Sequence, residues 1–409
     1  MQWYRELNQT ERRTFIGAFG GWAIDALDFM VFTFVISTLI QLWGIEKGQA
    51  GMLGTVTLLF SAVGGWLAGV LADRYGRVRV LQITILWFSV CTVAIGFAQN
   101  FEQLFVLRAL QGLGFGGEWA VGSVLMGEIV RAQHRGKAVG TVQSGWAVGW
   151  GVAAILYTVA FSVLPPEWAW RSLFWIGVLP AFLVLYIRKH VPEPEVFQRS
   201  QAKVQASGDR PSFWTIFSPA LLKTTIVTSV LCTGVQGGYY AITTWLPTFL
   251  KTERNLSVLN TGGYLMVIIL GSFCGYIVGA YLADKLGRRA NLLIFSVLCA
   301  ISVYVYTLVP LTDTQMLFLG FPLGFAASGI FSSIGAYLTE LFPSNVRASG
   351  QGFAYNFGRG IGALFPSLVG FLSQSHGLAW AIGAFATGAY AIVILTVFLL
   401  PETKGRVLD

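Results

Sequence analysis

Charge is what this sequence has least of. Asp, Glu, Lys and Arg make up 11% of its 409 residues, where a soluble domain carries about 25%. Too few charges remain to coat a water-facing surface, and a mean hydropathy of +0.65 makes lipid the expected solvent. Cysteine is scarce. Cys91, Cys232, Cys274 and Cys299 all fall in apolar runs, which reads as packing and excludes a disulfide framework. His134, His190 and His376 lie near the ends of such runs without metal-ligand spacing, so no metal site is expected. No nucleophile cluster or nucleotide loop points to an enzyme, and no cofactor is expected. Arg5, Glu6, Glu11, Arg12 and Arg13 precede an apolar run too long for a cleavable signal.

Long apolar runs are what the chain has instead. About 20 residues cross a bilayer as a helix. Twelve runs qualify: 15–42, 51–72, 79–98, 102–127, 137–163, 171–189, 218–246, 260–283, 290–310, 314–338, 350–373 and 378–400. The longest break holds Pro192, Pro194, Gly208 and Pro211 with several charges. The expected architecture is therefore an all-α membrane protein in two six-helix halves, 1–189 and 218–409, joined by a linker over 190–217. With the N-terminus inside, 21 of the 27 Lys and Arg fall on cytoplasmic segments and only Lys47, Lys251 and Arg254 outside. That asymmetry places both termini in the cytoplasm. It also explains the net charge of +8 as charge at a membrane surface, with no nucleic acid implied. Glycines four apart, Gly65 and Gly69, Gly145 and Gly149, and Gly271, Gly275 and Gly279, predict close helix packing.

The two halves echo one another. Asp73-Arg74-Tyr75-Gly76-Arg77 recurs 211 residues later as Asp284-Lys285-Leu286-Gly287-Arg288, and Glu128 with Arg135 recurs as Glu340 with Arg347. A doubled hydrophobic unit is the pattern of a transporter built from two repeats. Gly76 and Gly287 are expected to take the positive φ of a tight turn.

Five ionisable residues stand inside runs: Asp25 and Asp28, Arg108 and Glu118, and Arg359. Each costs about 2.5–3.5 kcal/mol at mid-membrane unless it lines water or finds a partner. Asp25 and Asp28 share a helix face, and two close carboxylates resist joint ionisation. Arg108, Gln111 and Glu118 fall within a sector about 80° wide, which reads as a cavity wall. Arg108 is expected to hold Asp28, and Glu118 to have no base at its depth. Arg359 has no acidic partner inside any run of the second half, so its guanidinium fork is expected to receive a substrate carboxylate. Tyr355 and Asn356 flank it. Gln236, Tyr239, Tyr240 and Thr243 suit a cavity for a ring or hydroxylated body, whereas Trp245 reads as interfacial. Gln143, Trp146 and Trp150 are weaker candidates. The expectation is that Asp25, Asp28, Glu118 and Arg108 handle protons. Arg359, Tyr355, Asn356, Gln111, Gln236, Tyr239 and Tyr240 are expected to bind substrate.

The twelve runs, the doubled loop, Arg108-Ala-Leu-Gln-Gly112 and Pro401-Glu402-Thr403-Lys404-Gly405 resemble the major facilitator superfamily. Asp25-Ala-Leu-Asp28-Phe29 and Gly116-Gly117-Glu118-Trp119 are similar to motifs of its proton symporters for aromatic acids, sialic acid and related metabolites. Trp3-Tyr4-Arg5, Trp170 to Phe174 and Phe353 to Asn356 look most like the sialate branch. Gly358-Arg359-Gly360 looks more like the aromatic-acid and organic-anion branch, and Ala26 stands where the span 1 signature has glycine. The resemblance implies a proton-driven symporter importing a small organic anion, as a monomer in a bacterial inner membrane. The alternatives are a sugar or polyol porter, which the C-terminal run favours, and a nutrient sensor. An exporter is disfavoured, since Gly145-Trp-Ala-Val-Gly149 is followed by Trp150 and no proline. By the same resemblance Asp73, Arg77, Asp284, Arg288, Glu128, Arg135, Glu340 and Arg347 gate the rocking of the halves.

Overall fold

Span 1 starts earlier than hydropathy alone indicates, because Asn8 and Glu11 cap it reciprocally. Each side chain accepts the other's backbone N–H at 2.8 Å. The helix then runs Gln9–Trp43 and ends at Gly44 in the left-handed region. In the computed structural model, residues 2–129, 135–193, 213–343 and 347–404 are described, and no strand occurs among them. After a short helix, Gln2–Glu6, and span 1 come span 2 (Lys47–Tyr75), span 3 (Arg77–Ile95) and span 4 (Phe101–Ile129). Span 5 is split into Arg135–Gln143 and Gly145–Val163, and span 6 into Pro166–Trp175 and Leu179–His190. The second half repeats the plan: span 7 (Leu222–Thr252), span 8 (Val258–Leu286), span 9 (Arg288–Leu308), and span 10 (Asp313–Gly329 with Phe331–Leu341). Span 11 (Arg347–Gly362 with Leu364–His376) and span 12 (Leu378–Leu399) complete it. Most of the expected linker, 194–212, lies outside the described residues.

Among the described residues, nine helices are long and apolar enough to cross a membrane by themselves. Spans 4, 7 and 11 are not among the nine, and these carry Arg108 and Glu118, Gln236, and Arg359. Large apolar side chains such as Trp66, Val90, Phe318 and Leu395 stand more than half exposed. An exterior of that kind belongs in lipid rather than water.

The glycine stripes do mostly what spacing predicts. A Cβ on Gly271 or Gly275 would meet the carbonyls of Phe321 and Phe325 on span 10, and one on Gly145 or Gly149 would meet the span 1 backbone. Span 2 differs. Gly65 lies against Asn356 of span 11, but Gly69 faces open space.

The halves meet where span 1 faces span 7, span 2 faces span 11, and span 5 faces span 8. Pro366 cannot donate to the Gly362 carbonyl, so span 11 breaks beside Gly362, one turn past Arg359. The Pro366 carbonyl instead accepts the indole N–H of Trp245 at 2.9 Å. Trp245 is fully buried. It ties span 7 to span 11 through this bond instead of sitting in an interfacial belt. On the face opposite the doubled loop, Thr55 and Ser367 are joined at 2.7 Å, and Gln374 donates to Glu46 at 3.2 Å. The two halves are thus closed against each other there.

Candidate functional site

Asp25, Asp28, Arg108, Glu118 and Arg359 are all at most 5% exposed. They fall into two groups. In the first, Arg108 Nη1 donates to Gln111 Oε1 at 2.7 Å, Gln111 Nε2 to Thr92 Oγ1 at 2.7 Å, and Thr92 Oγ1 to Asp28 Oδ2 at 3.0 Å. Arg108 also donates to the Leu53 carbonyl at 3.4 Å, and its guanidinium lies 3.9 Å from the centre of the Phe32 ring. Arg108 therefore reaches Asp28 through a relay across spans 4, 3 and 1 rather than by direct contact. Gln111, one turn along span 4, stands between them. Thr92 on span 3 is the member that sequence reasoning missed. It lies in an apolar run, where a threonine carries no signal.

In the second group, the carboxyl groups of Asp25 and Glu118 face each other, and Arg359 from the other half acts on Asp25 electrostatically. Both Asp25 oxygens are without a hydrogen bond. Asp25 thus meets Glu118 ahead of Asp28. Three residues turn a helix by about 300°, so the two aspartates diverge by about 60°, enough to send one to span 4 and the other to span 3. The cation that acts on Asp25, Arg359, belongs to the opposite half. Counting along one span cannot see a cation brought in by the opposite half.

Arg359 lies in an aromatic cage. Its guanidinium carbon is 5.1 Å from the Tyr355 ring centre, 5.3 Å from Phe115 and 6.0 Å from Trp119. Nε makes a long 3.4 Å bond to Gln236 Oε1, and Nη1 has no partner. Gln236 is held in turn by the Tyr355 carbonyl at 2.8 Å and by the Tyr240 hydroxyl at 3.5 Å. Trp119 and Tyr355 stack across the halves at 3.7 Å and 11°. Trp146 lies 5.0 Å from Trp22, 5.8 Å from Phe29 and 6.2 Å from Phe115. Phe29 and Phe115 stack at 5.7 Å, and Phe29 faces Tyr240 at 5.7 Å. The result is a cluster of packed aromatic rings around one under-bonded cation. Asn356 donates to the Gly352 carbonyl at 2.9 Å and leaves Oδ1 without a bond beside Gly65. Gln111 spends both ends of its amide on the Arg108 relay.

Gly76 and Gly287 take φ of +107° and +104° and start spans 3 and 9. The Glu193 carboxylate accepts from the backbone N–H groups of Arg77 and Val78, both at 2.8 Å. The Glu402 carboxylate accepts from those of Arg288 and Arg289 at 2.9 and 3.0 Å. An anion on a helix N-terminus satisfies free N–H groups and the positive end of the dipole. Pro192-Glu193 and Pro401-Glu402 are thus a third echo, 209 residues apart, legible in the sequence but overlooked. Arg288 forks onto Glu340 at 2.8 and 3.1 Å, and Thr403 also donates to Glu340, at 2.6 Å. All these contacts lie within one half. The side chains of Asp73, Asp284, Glu128, Arg135 and Arg347 lie outside the described residues.

Glu402 yields a stability prediction. Partial burial works against its charged form, but backbone N–H donors from Arg288, Arg289, Lys404 and Thr403 outweigh it and hold the carboxyl below its usual range. A value depressed in the folded state contributes stability at pH above the unfolded value near 4.3, and that contribution is lost as pH falls through the folded value. Glu402→Ala is expected to cost about 1 kcal/mol at pH 7, as for a lost helix cap. Melting scans in detergent should show the gap to wild type closing below about pH 4.

Residues 18–363 and 282–408 match the Major Facilitator Superfamily. The chain is 44% identical over 407 residues, 100% of its length and 94% of the relative's, to a protein of Cupriavidus pinatubonensis described as "Probable 4-methylmuconolactone transporter". It is 31% identical over 381 residues, 92% of its length and 91% of the relative's, to the cis,cis-muconate transport protein of Acinetobacter baylyi. Its fold is similar to that of the proton:xylose symporter XylE bound to 6-bromo-6-deoxy-D-glucose, with a TM-score of 0.77 at 18% identity over 98% of each chain.

Proposed function

The chain belongs to the Major Facilitator Superfamily, and from that premise we propose that it imports a small organic carboxylate together with protons by alternating access. It is a multi-pass membrane transporter of metabolites and not an enzyme. The observation that carries the anion reading is Arg359: buried, caged by three rings, and with Nη1 unpartnered. A guanidinium presents a planar fork matched to a carboxylate, and the flat walls suit an unsaturated or aromatic body. The compounds in the names of the two relatives carry carboxylates. The C-terminal run that in the sequence favoured a sugar porter is occupied with capping span 9.

Charge balance supports proton coupling. Asp25 and Glu118 sharing one proton are neutralised by Arg359. A substrate carboxylate that takes Arg359 leaves that remaining negative charge unbalanced in a buried place, and a second proton restores neutrality. Proton and anion then favour each other reciprocally. The rocking halves would carry this site between faces, with both termini cytoplasmic in a bacterial inner membrane and the monomer as the working unit.

The test is thermal stabilisation of the purified protein by cis,cis-muconate, nicotinate and benzoate against xylose and glucose. A ligand at a hundred times its Kd adds about 2.7 kcal/mol. At least one acid should raise the melting temperature and neither sugar should. Stabilisation by a sugar and by no acid would overturn the proposal.

A further inference from the structure

Spans 2, 3 and 4 leave a groove of about 410 Å³ on the outer face of the first half, with Leu71, Ile83, Thr84, Trp87 and Leu113 in its lining. Leu71, Ile83 and Trp87 are each at least 45% exposed, so the groove opens sideways to the membrane. Its walls ask for no polar partner. Thr84 Oγ1 donates to the Leu81 carbonyl at 2.9 Å, and the Trp87 indole N–H to the Leu110 carbonyl at 2.8 Å. Polarity is confined to one end, where Tyr75 and Arg79 line the groove beside the Gly76 turn. That end is the cytoplasmic one on the topology proposed above. Arg79 gives its backbone N–H to Glu193 at 3.3 Å, while among the described residues its guanidinium makes no hydrogen bond or ion pair. From Arg79 to Trp87 the helix rises about 12 Å. One leaflet of the hydrocarbon core is about 15 Å deep, so the groove runs from headgroup level toward the midplane.

The second half shows that the groove is not a by-product of the repeat. A Cβ on Gly64 would meet the Leu113 backbone, and one on Gly275 the Phe325 backbone. A Cβ on Gly117 would meet Thr84, and one on Gly329 the Phe295 ring. Phe325 and Phe295 therefore stand where the first half has Leu113 and Thr84. Those two rings pack on each other with centres 5.5 Å apart. Ala290 stands 211 residues after Arg79. The second half thus fills this place with its own rings and has no cation at the position of Arg79. The first half leaves the place open and sets a guanidinium at its mouth.

We propose that this groove is a binding site for an anionic diacyl phospholipid of the cytoplasmic leaflet. One acyl chain lies along Leu71, Ile83 and Leu113, and the phosphate sits on Arg79. An apolar slot one leaflet deep suits the chain, and a guanidinium fork matches phosphate oxygens. A cation at the membrane surface favours anionic over neutral headgroups.

Native mass spectrometry of the purified protein tests this, with dioleoylphosphatidylglycerol and dioleoylphosphatidylcholine titrated separately and the first lipid bound quantified. Wild type should hold the anionic lipid about fivefold tighter, the worth of one cation at the membrane surface. In Arg79→Ala, a change at an exposed residue, that advantage should fall to within about twofold. Lys285→Ala, which removes an exposed cation of the second half, should leave it unchanged. Thr84→Phe combined with Leu113→Phe copies the filled second half and should weaken the first site for both lipids at least about tenfold, the worth of two buried methylenes. Leu67→Trp closes the groove from its exposed rim and should do the same, so the test stands if the paired rings lower the melting temperature. Four results would each overturn the site: equal binding of the two lipids by wild type, an advantage that survives Arg79→Ala, an advantage lost in Lys285→Ala, or unchanged affinity in a filled variant that melts like wild type.

Discussion

Arg359→Ala is expected to abolish saturable carboxylate binding and counterflow, with a loss of at least about 100-fold in affinity. The magnitude follows from what is removed. Truncating one partner of a buried, hydrogen-bonded charge pair costs about 2–5 kcal/mol, which is roughly 30-fold to several thousandfold. The aromatic cage raises the effect, since Tyr355, Phe115 and Trp119 exclude water that could otherwise solvate the anion. Arg359→Lys keeps the charge but loses the fork, so it should recover only a minor part of the affinity. The comparison separates substrate contact from structure. A merely structural cation would be served nearly as well by lysine, and its loss would lower the melting temperature without changing which solutes bind. Counterflow of a labelled acid in proteoliposomes, run beside melting scans, gives both readouts. Full counterflow in Arg359→Ala would falsify the anion site.

How much of this was visible in one dimension differs from residue to residue. Arg359 is legible because a guanidinium inside an apolar run, with no acid in its own half, announces an unmet partner. The twelve spans and the doubled loop are legible for the same local reason: hydropathy and repetition need no tertiary information. The pairings are not. Asp25 and Asp28 look like a pair because they are three apart, yet packing divides them between Glu118 and Thr92. Which neighbour a helical side chain meets is set by the rotation and crossing of spans, not by its own sequence. Trp245 and the third Pro-Glu echo are intermediate cases. An indole N–H in an apolar run signals a donor in need of an acceptor, and Glu402 an anion within reach of a helix start, but only contacts between distant segments show where each is used.

Asp25→Asn combined with Glu118→Gln should break the link between substrate and proton while sparing exchange. In wild type, raising the pH should weaken substrate binding, because the carboxyl pair gives up the protons that make room for a second anion. The linked effect between two such sites is typically about 1–3 kcal/mol, or 5- to 150-fold in affinity. Fixing both groups as neutral amides removes the titration but leaves Arg359 and its cage in place. The double variant should therefore bind and exchange substrate with little dependence on pH, while its accumulation driven by an imposed pH gradient falls to the equilibrium level. Asp28→Asn provides the contrast. Asp28 is the end of the Thr92, Gln111 and Arg108 relay and lies apart from Arg359. Its neutralisation leaves Arg108 as a buried cation without its distant counter-charge, so the expected penalty is in stability and turnover, with the pH dependence of binding retained. Gradient-driven accumulation that persists in the Asp25 and Glu118 double variant, but disappears in Asp28→Asn, would move the proton from the carboxyl pair to the relay.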